Sequence, residues 1–247
     1  MSVYNGAFTV KDAIESILKQ SFKDFEFVIV NDGSTDNTLS IINSFSDSRI
    51  KVINQKNKGL TKSLNIGIHN SKAELIARID ADDYCEKDRL ELQYKFFKKK
   101  NIVLLGTLVY FKINQTLKKS KYLSDAQILE TIKTKNPFSH SSVMFKKEEF
   151  LKIGGYNEKM KLAQDYDAWL RLSERGNLSM LNKHLVTIRL SSKSISRDKI
   201  IQQAYYGFII RKDKIKMTIN ILLFIRHIFL GIIPLKLIDI KRTLFDD

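Results

Sequence analysis

One cysteine and two prolines in 247 residues set the first limits. Cys85 alone excludes an intrachain disulfide and fits a reducing compartment. With proline this scarce and ten glycines scattered, no stretch reads as a long Pro/Gly/Ser linker, so one main domain is expected. No solenoid-type repeat is visible. Uninterrupted apolar runs fall short of the about 20 residues a membrane-spanning helix needs. Acidic residues are also in short supply, 27 against 42 Lys and Arg, which gives a formal charge of +15. That excess favours polyanions: phosphorylated substrates, an anionic bilayer surface or nucleic acid. The basic residues are dispersed and no nucleic-acid-binding motif accompanies them, so no nucleic acid partner is expected. Met1 is followed by Ser-Val-Tyr-Asn-Gly rather than by a charged and then apolar leader, and a cytoplasmic protein is expected.

What is present alternates. Residues 10–20 carry Ala13, Ile14, Ile17 and Leu18 at helical spacing, and 25–30 form a β-branched and aromatic run. A helix from Leu39, a strand over 50–53, a helix over 59–69 and a strand over 74–79 follow. The period then loosens: helices over 90–97, 125–134, 148–153 and 165–175, and strands over 102–113, 141–145 and 180–190. Repeated strand–helix units of this length predict an α/β fold with a mostly parallel central sheet flanked by helices.

The densest chemistry lies in Ile76-Ala77-Arg78-Ile79-Asp80-Ala81-Asp82-Asp83. Three carboxylates gather where a short apolar strand must end, and they repel one another unless a cation sits among them. Mg²⁺ and Mn²⁺ are held by one or two carboxylates plus substrate phosphates, and open α/β sheets place ligands at their strands' carboxyl ends. A solvated acidic turn capping the helix that begins near Glu86 is the alternative.

Six motifs in one order decide between them. Val3-Tyr4-Asn5-Gly6, Val30-Asn31-Asp32-Gly33-Ser34-Thr35-Asp36, Asp80-Ala81-Asp82-Asp83, His140-Ser141-Ser142-Val143-Met144, Gly154-Gly155-Tyr156-Asn157 and the stretch from Gln164 to Leu172 together resemble the family-2 glycosyltransferases with the GT-A fold. The resemblance runs from Ser2 to about Arg197. It implies an inverting, metal-dependent hexosyltransferase-type enzyme of polysaccharide and cell-envelope biosynthesis. Its donor would be a nucleotide-diphospho-sugar, its acceptor a saccharide or lipid-linked saccharide. Val3, Tyr4 and Asn5 match the loop that packs around the nucleoside, and Asp32 the residue that bonds base or ribose. Asp80 matches a ribose contact and Asp82 the ligand of a divalent metal, Mg²⁺ or Mn²⁺, with Asp83 in support. Asp165 matches the catalytic base that takes the acceptor's proton, preceded here by Gln164 where many relatives carry an acid. His140 and Trp169 match acceptor-side or supporting positions. Arg189 and Ser194 resemble a late Arg…Ser element that closes over the diphosphate, with Leu190 where relatives often carry a histidine. A catalytically inactive nucleotide-sugar-binding homologue is the alternative reading.

Family members begin with an apolar strand immediately before the Val-Tyr-Asn loop, and here that strand is expected to be missing or truncated. At the other end, residues 198–247 read as a basic and apolar helical tail. It fits helices lying on the inner face of the cell membrane or a homodimer contact, drawn by Arg211-Lys212-Asp213-Lys214-Ile215-Lys216 in the first case.

Overall fold

The computed structural model describes residues 1–190, 200–212, 215 and 217–232. Strands β1 (Ser2–Val3), β2 (Phe27–Asn31) and β3 (Ile50–Asn54) form a parallel sheet in that order. Helical crossovers α1 (Val10–Leu18), α2 (Thr38–Asn43) and α3 (Leu60–His69) make this possible, since parallel strands cannot be joined by a tight turn. Helix α1 buries Val10, Ala13, Ile14 and Ile17, one stripe of a 3.6-residue period, against Ile29 and Ile42.

The second sheet contains β4 (Leu75–Ala77), β5 (Tyr84–Cys85), β6 (Leu104–Ile113), β7 (Thr116–Lys119), β8 (Met144–Lys146) and β9 (Leu178–Arg189). Its order is β4-β8-β6-β9-β5, with β7 added to β6. Only β6 and β9 run parallel here; the other pairs are antiparallel. The parallel pairing expected from alternation therefore holds throughout the first sheet and at one place in the second. The reason lies in the connections: a tight turn with Asn114 at φ 52° joins β6 to β7, whereas helices separate β6 from β9. Those helices are α5 (Asp125–Thr131), α6 (Lys147–Lys152) and α7 (Gln164–Leu172); α4 (Arg89–Lys99) lies between β5 and β6.

The main core centres on Phe145, Phe150, Tyr156 and Trp169, whose rings stack edge to face or tilted with centroids 4.4–6.1 Å apart. Burying each such ring contributes roughly 1.5–3 kcal/mol. The aromatic cluster thus sets α6 and α7 firmly on the back of β8.

The described part of the tail consists of α8 (Ile200–Arg211) and α9 (Met217–Ile232). Ala204 is buried and Ile210 packs on the main core, so α8 is joined to the domain. The Arg211 charge acts on the Tyr166 hydroxyl of α7, and Arg211 donates through Nε to Asn220 Oδ1 at 3.1 Å, while Asn220 Nδ2 donates to the Phe208 carbonyl at 2.9 Å. Ser194 and residues 233–247 lie outside the described residues. No helix among the described residues is long and apolar enough to cross a membrane.

Candidate active site

The pairing of β4 with β8 builds the site. Ala77 lies opposite Met144 and the Arg78 N–H donates to the Val143 carbonyl at 3.0 Å, so the short 3₁₀ turn His140–Ser142 is laid over the acidic turn. Ser141 Oγ then accepts from Arg78 Nη1 at 3.1 Å and from the Asp80 N–H at 3.0 Å. It lies 3.1 Å from Asp80 Oδ2 and also bonds Asp83 Oδ2. Arg78 is buried and closes an ion pair with Asp80. Behind it, the fully buried Arg89 donates to the Arg78 carbonyl at 2.8 Å and to Gln93 Oε1 at 3.0 Å. The acidic turn is therefore held by two buried guanidinium groups from outside the Asp-Ala-Asp-Asp run.

These contacts separate the three carboxyl groups electrically. Burial alone would push Asp80 up, but the charge and hydrogen bond of Arg78 win and hold it down at about 2. Asp83 is driven up to about 7, first by burial and then by the charges of Asp80 and Asp82. Asp82 is the exposed member; desolvation and then the Asp80 charge move it upward. Carboxylate oxygens of Asp80, Asp82 and Asp83 lie within 4.8 Å of one another, an all-oxygen set of the kind that hard divalent cations take. Arg189, at the end of β9, donates its N–H to Asp83 Oδ1 at 3.0 Å. Its guanidinium pairs with Asp12 at 2.6 Å and lies over the Tyr84 ring, 5.2 Å from the centroid.

Asp165 sits in the first turn of α7, after Ala163 in the left-handed region at φ 56°. The helix dipole favours a negative charge there, yet burial raises this carboxyl. Asn136 Nδ2 donates to Asp165 Oδ2 at 2.8 Å, and Asn136 Oδ1 is taken by the Phe138 N–H at 3.1 Å, which fixes the amide's orientation. Asp167 instead pairs with Arg171, which also donates to the Gly155 carbonyl at 2.9 Å and ties α7 to the turn before Tyr156. Gly155 has φ +70°, and a Cβ there would come within 2.9 Å of Asn65 Oδ1. Asn65 on α3 grips Tyr156 from both sides, donating to its carbonyl and accepting from its N–H, each at 2.9 Å.

Tyr156 joins the two halves. Its buried hydroxyl lies 2.8 Å from His140 Nε2, and it feels the charges of Arg78, Asp165 and Asp80 together. Burial, then the Arg78 charge, keeps the His140 imidazole well below its ordinary range, hence neutral. The charges of Asp165 and Asp80 thus both act on this buried hydroxyl. Trp169 is fully buried against His140 and Tyr156. Its burial agrees with the inward-facing position expected from the helical spacing.

The nucleoside-side residues divide. Val3 turns its side chain into the core, and its carbonyl takes the Asp32 N–H at 2.8 Å. Tyr4 is 53% exposed. Asn5 stands at φ 51° and bridges the two loops, its N–H reaching Ser34 Oγ at 3.0 Å and its Oδ1 taking the Thr35 N–H at 2.8 Å. Asp32 is buried, and its carboxylate accepts from Gln55 Nε2 and the Lys58 N–H at 2.8 Å and from the Gly59 N–H at 2.9 Å. It closes the entry into α3. Beside it an open cleft of about 510 Å³ is lined by Asn31, Ser34, Asn54, Gln55 and Asn57.

Sequence reasoning did not assign Arg78, Ser141, Asn136, Asn65 or Tyr156. Arg78 carried a usable signal, a lone cation inside an apolar strand run, which requires a buried partner. Ser141 and Tyr156 lay inside motifs that were read for other residues.

Together, a curled α/β scaffold with these strand-end acids defines a GT-A fold. The model for Glycosyl transferase family 2 matches residues 1–157, and the chain belongs to that family. It is 30% identical over 233 residues to the O-antigen biosynthesis glycosyltransferase WbnJ of Escherichia coli, covering 89% of each chain. It is 32% identical to the putative glycosyltransferase EpsE of Bacillus subtilis, covering 80% of this chain and 74% of that one. Other relatives are much longer: the chain spans 32% of an uncharacterized Rickettsia felis glycosyltransferase and 19% of the Pasteurella multocida chondroitin synthase. The fold matches S. aureus TarS 1-349 in complex with UDP-GlcNAc at TM-score 0.70 and 18% identity, over 92% of this chain and 70% of that one. It also matches the Pyrobaculum calidifontis mannosyltransferase PcManGT in complex with GDP-Man and Mn²⁺ at TM-score 0.67 and 17% identity, over 90% and 66%.

Proposed function

We propose that this chain is an inverting glycosyltransferase that moves a hexosyl group from a nucleotide-diphospho-sugar to a hydroxyl of a saccharide or lipid-linked saccharide. The relative named for O-antigen biosynthesis supports a role in building a surface polysaccharide. The observation that supports the reading is that the charges of Asp165 and Asp80 both act on the Tyr156 hydroxyl, which lies 2.8 Å from His140 Nε2.

Asp82, with Asp80 and Asp83 beside it, fits a divalent cation, Mg²⁺ or Mn²⁺. Bound there, the ion would supply Lewis-acid neutralisation of the diphosphate leaving group. The protein's own residues do the rest. Tyr4 offers an exposed ring for the base, and Asn5 and Asp32 hold the two loops beside it. Arg189 stands next to Asp83, with its guanidinium available to a diphosphate in exchange for Asp12. Asp165 accepts the acceptor's proton as that oxygen bonds to the anomeric carbon and the donor's sugar–oxygen bond breaks. Its raised carboxyl makes it a better base than a free aspartate. The neutral His140, held by the buried Tyr156 hydroxyl, can hydrogen-bond the acceptor without adding charge.

A panel of UDP- and GDP-sugars, assayed with Mn²⁺ by thermal unfolding and by release of nucleoside diphosphate with acceptor present, tests the reading. One donor at about a hundred times its Kd should stabilise the fold by about 2.7 kcal/mol, and EDTA should abolish both signals. Stabilisation without release would make the chain a binding protein; neither signal with any donor would overturn the proposal.

The pH profile provides a sharper check on Asp165. Its carboxyl is raised, and activity should fall on the acid side above the ordinary aspartate range. The Asn136 N–H favours the ionised form, so Asn136→Ala should push the carboxyl higher still and move the acid limb of kcat to higher pH. An acid limb that stays in place would show that Asp165 does not control it.

A further inference from the structure

Helix α9 is apolar on both sides. Asn220 faces α8, and Phe224 packs against Phe208 with ring centroids 5.7 Å apart. On the opposite face Ile221, Leu222 and Ile225 stand open, Leu222 at 61% and Ile225 at 56% exposure, and Met217 and Ile219 extend the patch. A helix that is hydrophobic all round is normally covered on all sides.

The charge pattern selects the cover. Helix α9 contains Arg226 and no acid, and from Lys214 to Ile238 the sequence has Lys214, Lys216, Arg226 and Lys236 with no Asp or Glu. A second copy would carry the same +15 over its whole chain and the same acid-free helix, which disfavours self-association. An anionic surface with an apolar layer beneath it complements both features. The described part of α9 has 16 residues, about 24 Å at 1.5 Å per residue, against a hydrocarbon core of about 30 Å, and carries Arg226 within it. It suits lying in the headgroup boundary rather than crossing it.

We propose that the open face of α9 is a docking surface for an anionic lipid bilayer. Asn220 bonds Arg211 and the Phe208 carbonyl of α8, and Ile210 of α8 packs on the core that holds Tyr166 and Trp169 of α7, the helix that carries Asp165, so docking would orient the site relative to the membrane. The inference stands apart from the transfer reading, because its readout involves no sugar.

The test is co-sedimentation of the full chain with phosphatidylcholine vesicles containing or lacking phosphatidylglycerol, for the wild type and for Leu222→Ser combined with Ile225→Ser. Point variants are preferred to truncation because Ile210 and Arg211 are packed into the domain. Both changed residues are exposed, so an unaltered unfolding midpoint should accompany the double variant. The wild type should partition onto the anionic vesicles, weaken with added salt, and lose about tenfold in the double variant. Equal binding to uncharged vesicles, or equal binding by the variant, would overturn the proposal. So would a lipid-free dimer that the variant dissociates, which would assign the face to a second copy.

Discussion

Asp165→Asn should lower kcat for sugar transfer by about 10²- to 10⁴-fold, the range over which a positioned general base acts. The substitution is close to isosteric, and the Asn136 N–H bonded to Asp165 Oδ2 at 2.8 Å can still find a carbonyl oxygen in its place. Donor binding should therefore survive, because the acidic turn and the nucleoside-side loops are untouched. The measurement is kcat at saturating donor and acceptor, with donor affinity determined separately by thermal unfolding. A variant with wild-type kcat would remove Asp165 from the chemistry, while loss of donor affinity alone would make it a scaffold residue.

Arg78→Met should have the largest effect on stability. It deletes the cation paired with Asp80 and the donor to Ser141 at 3.1 Å, leaving the Asp80 carboxylate without its main counter-charge. Breaking a buried pair costs about 3–5 kcal/mol, and because Asp80's side chain keeps 33% of its exposure, hydration should reduce this to about 2 kcal/mol. For a chain of this length that corresponds to about 4–8 °C in Tm. The pH dependence gives a signature. Asp80 is held down at about 2 in the folded protein, so the pair contributes its stability above the unfolded carboxyl value and loses it as pH falls toward 2. The gap between wild type and variant should accordingly narrow below about pH 4. A gap independent of pH would mean that Arg78 acts by packing rather than by charge.

Much of this fold could be read directly because the signals are local. Helix α1 shows its buried stripe in Ala13, Ile14 and Ile17, and the acids at 80, 82 and 83 mark the end of a strand in any α/β chain. What escaped was non-local. That Arg78 pairs with Asp80 under the control of Ser141 depends on β4 meeting β8, more than 60 positions away in sequence. The antiparallel run of β4, β8 and β6 has the same origin, since pairing sense follows the path of the connection and apolar periodicity says nothing about that path. The side chains of Val3 and Trp169 lie in the core, Trp169 at the inward position its helical spacing predicts. Asp32, equally, is bonded by Gln55, Lys58 and Gly59, partners that no local pattern around residues 30–36 could name.

Arg78 also governs how the acidic turn meets an ion. With Asp80 already balanced from within and Asp83 held near half-protonation at neutral pH, Asp82 supplies most of the uncompensated negative charge. A lone cation would therefore be held there mainly by Asp82. On the proposed reading, a cation escorted by a pyrophosphate would bring its own remaining ligands, so donor and metal would enter best as a single complex.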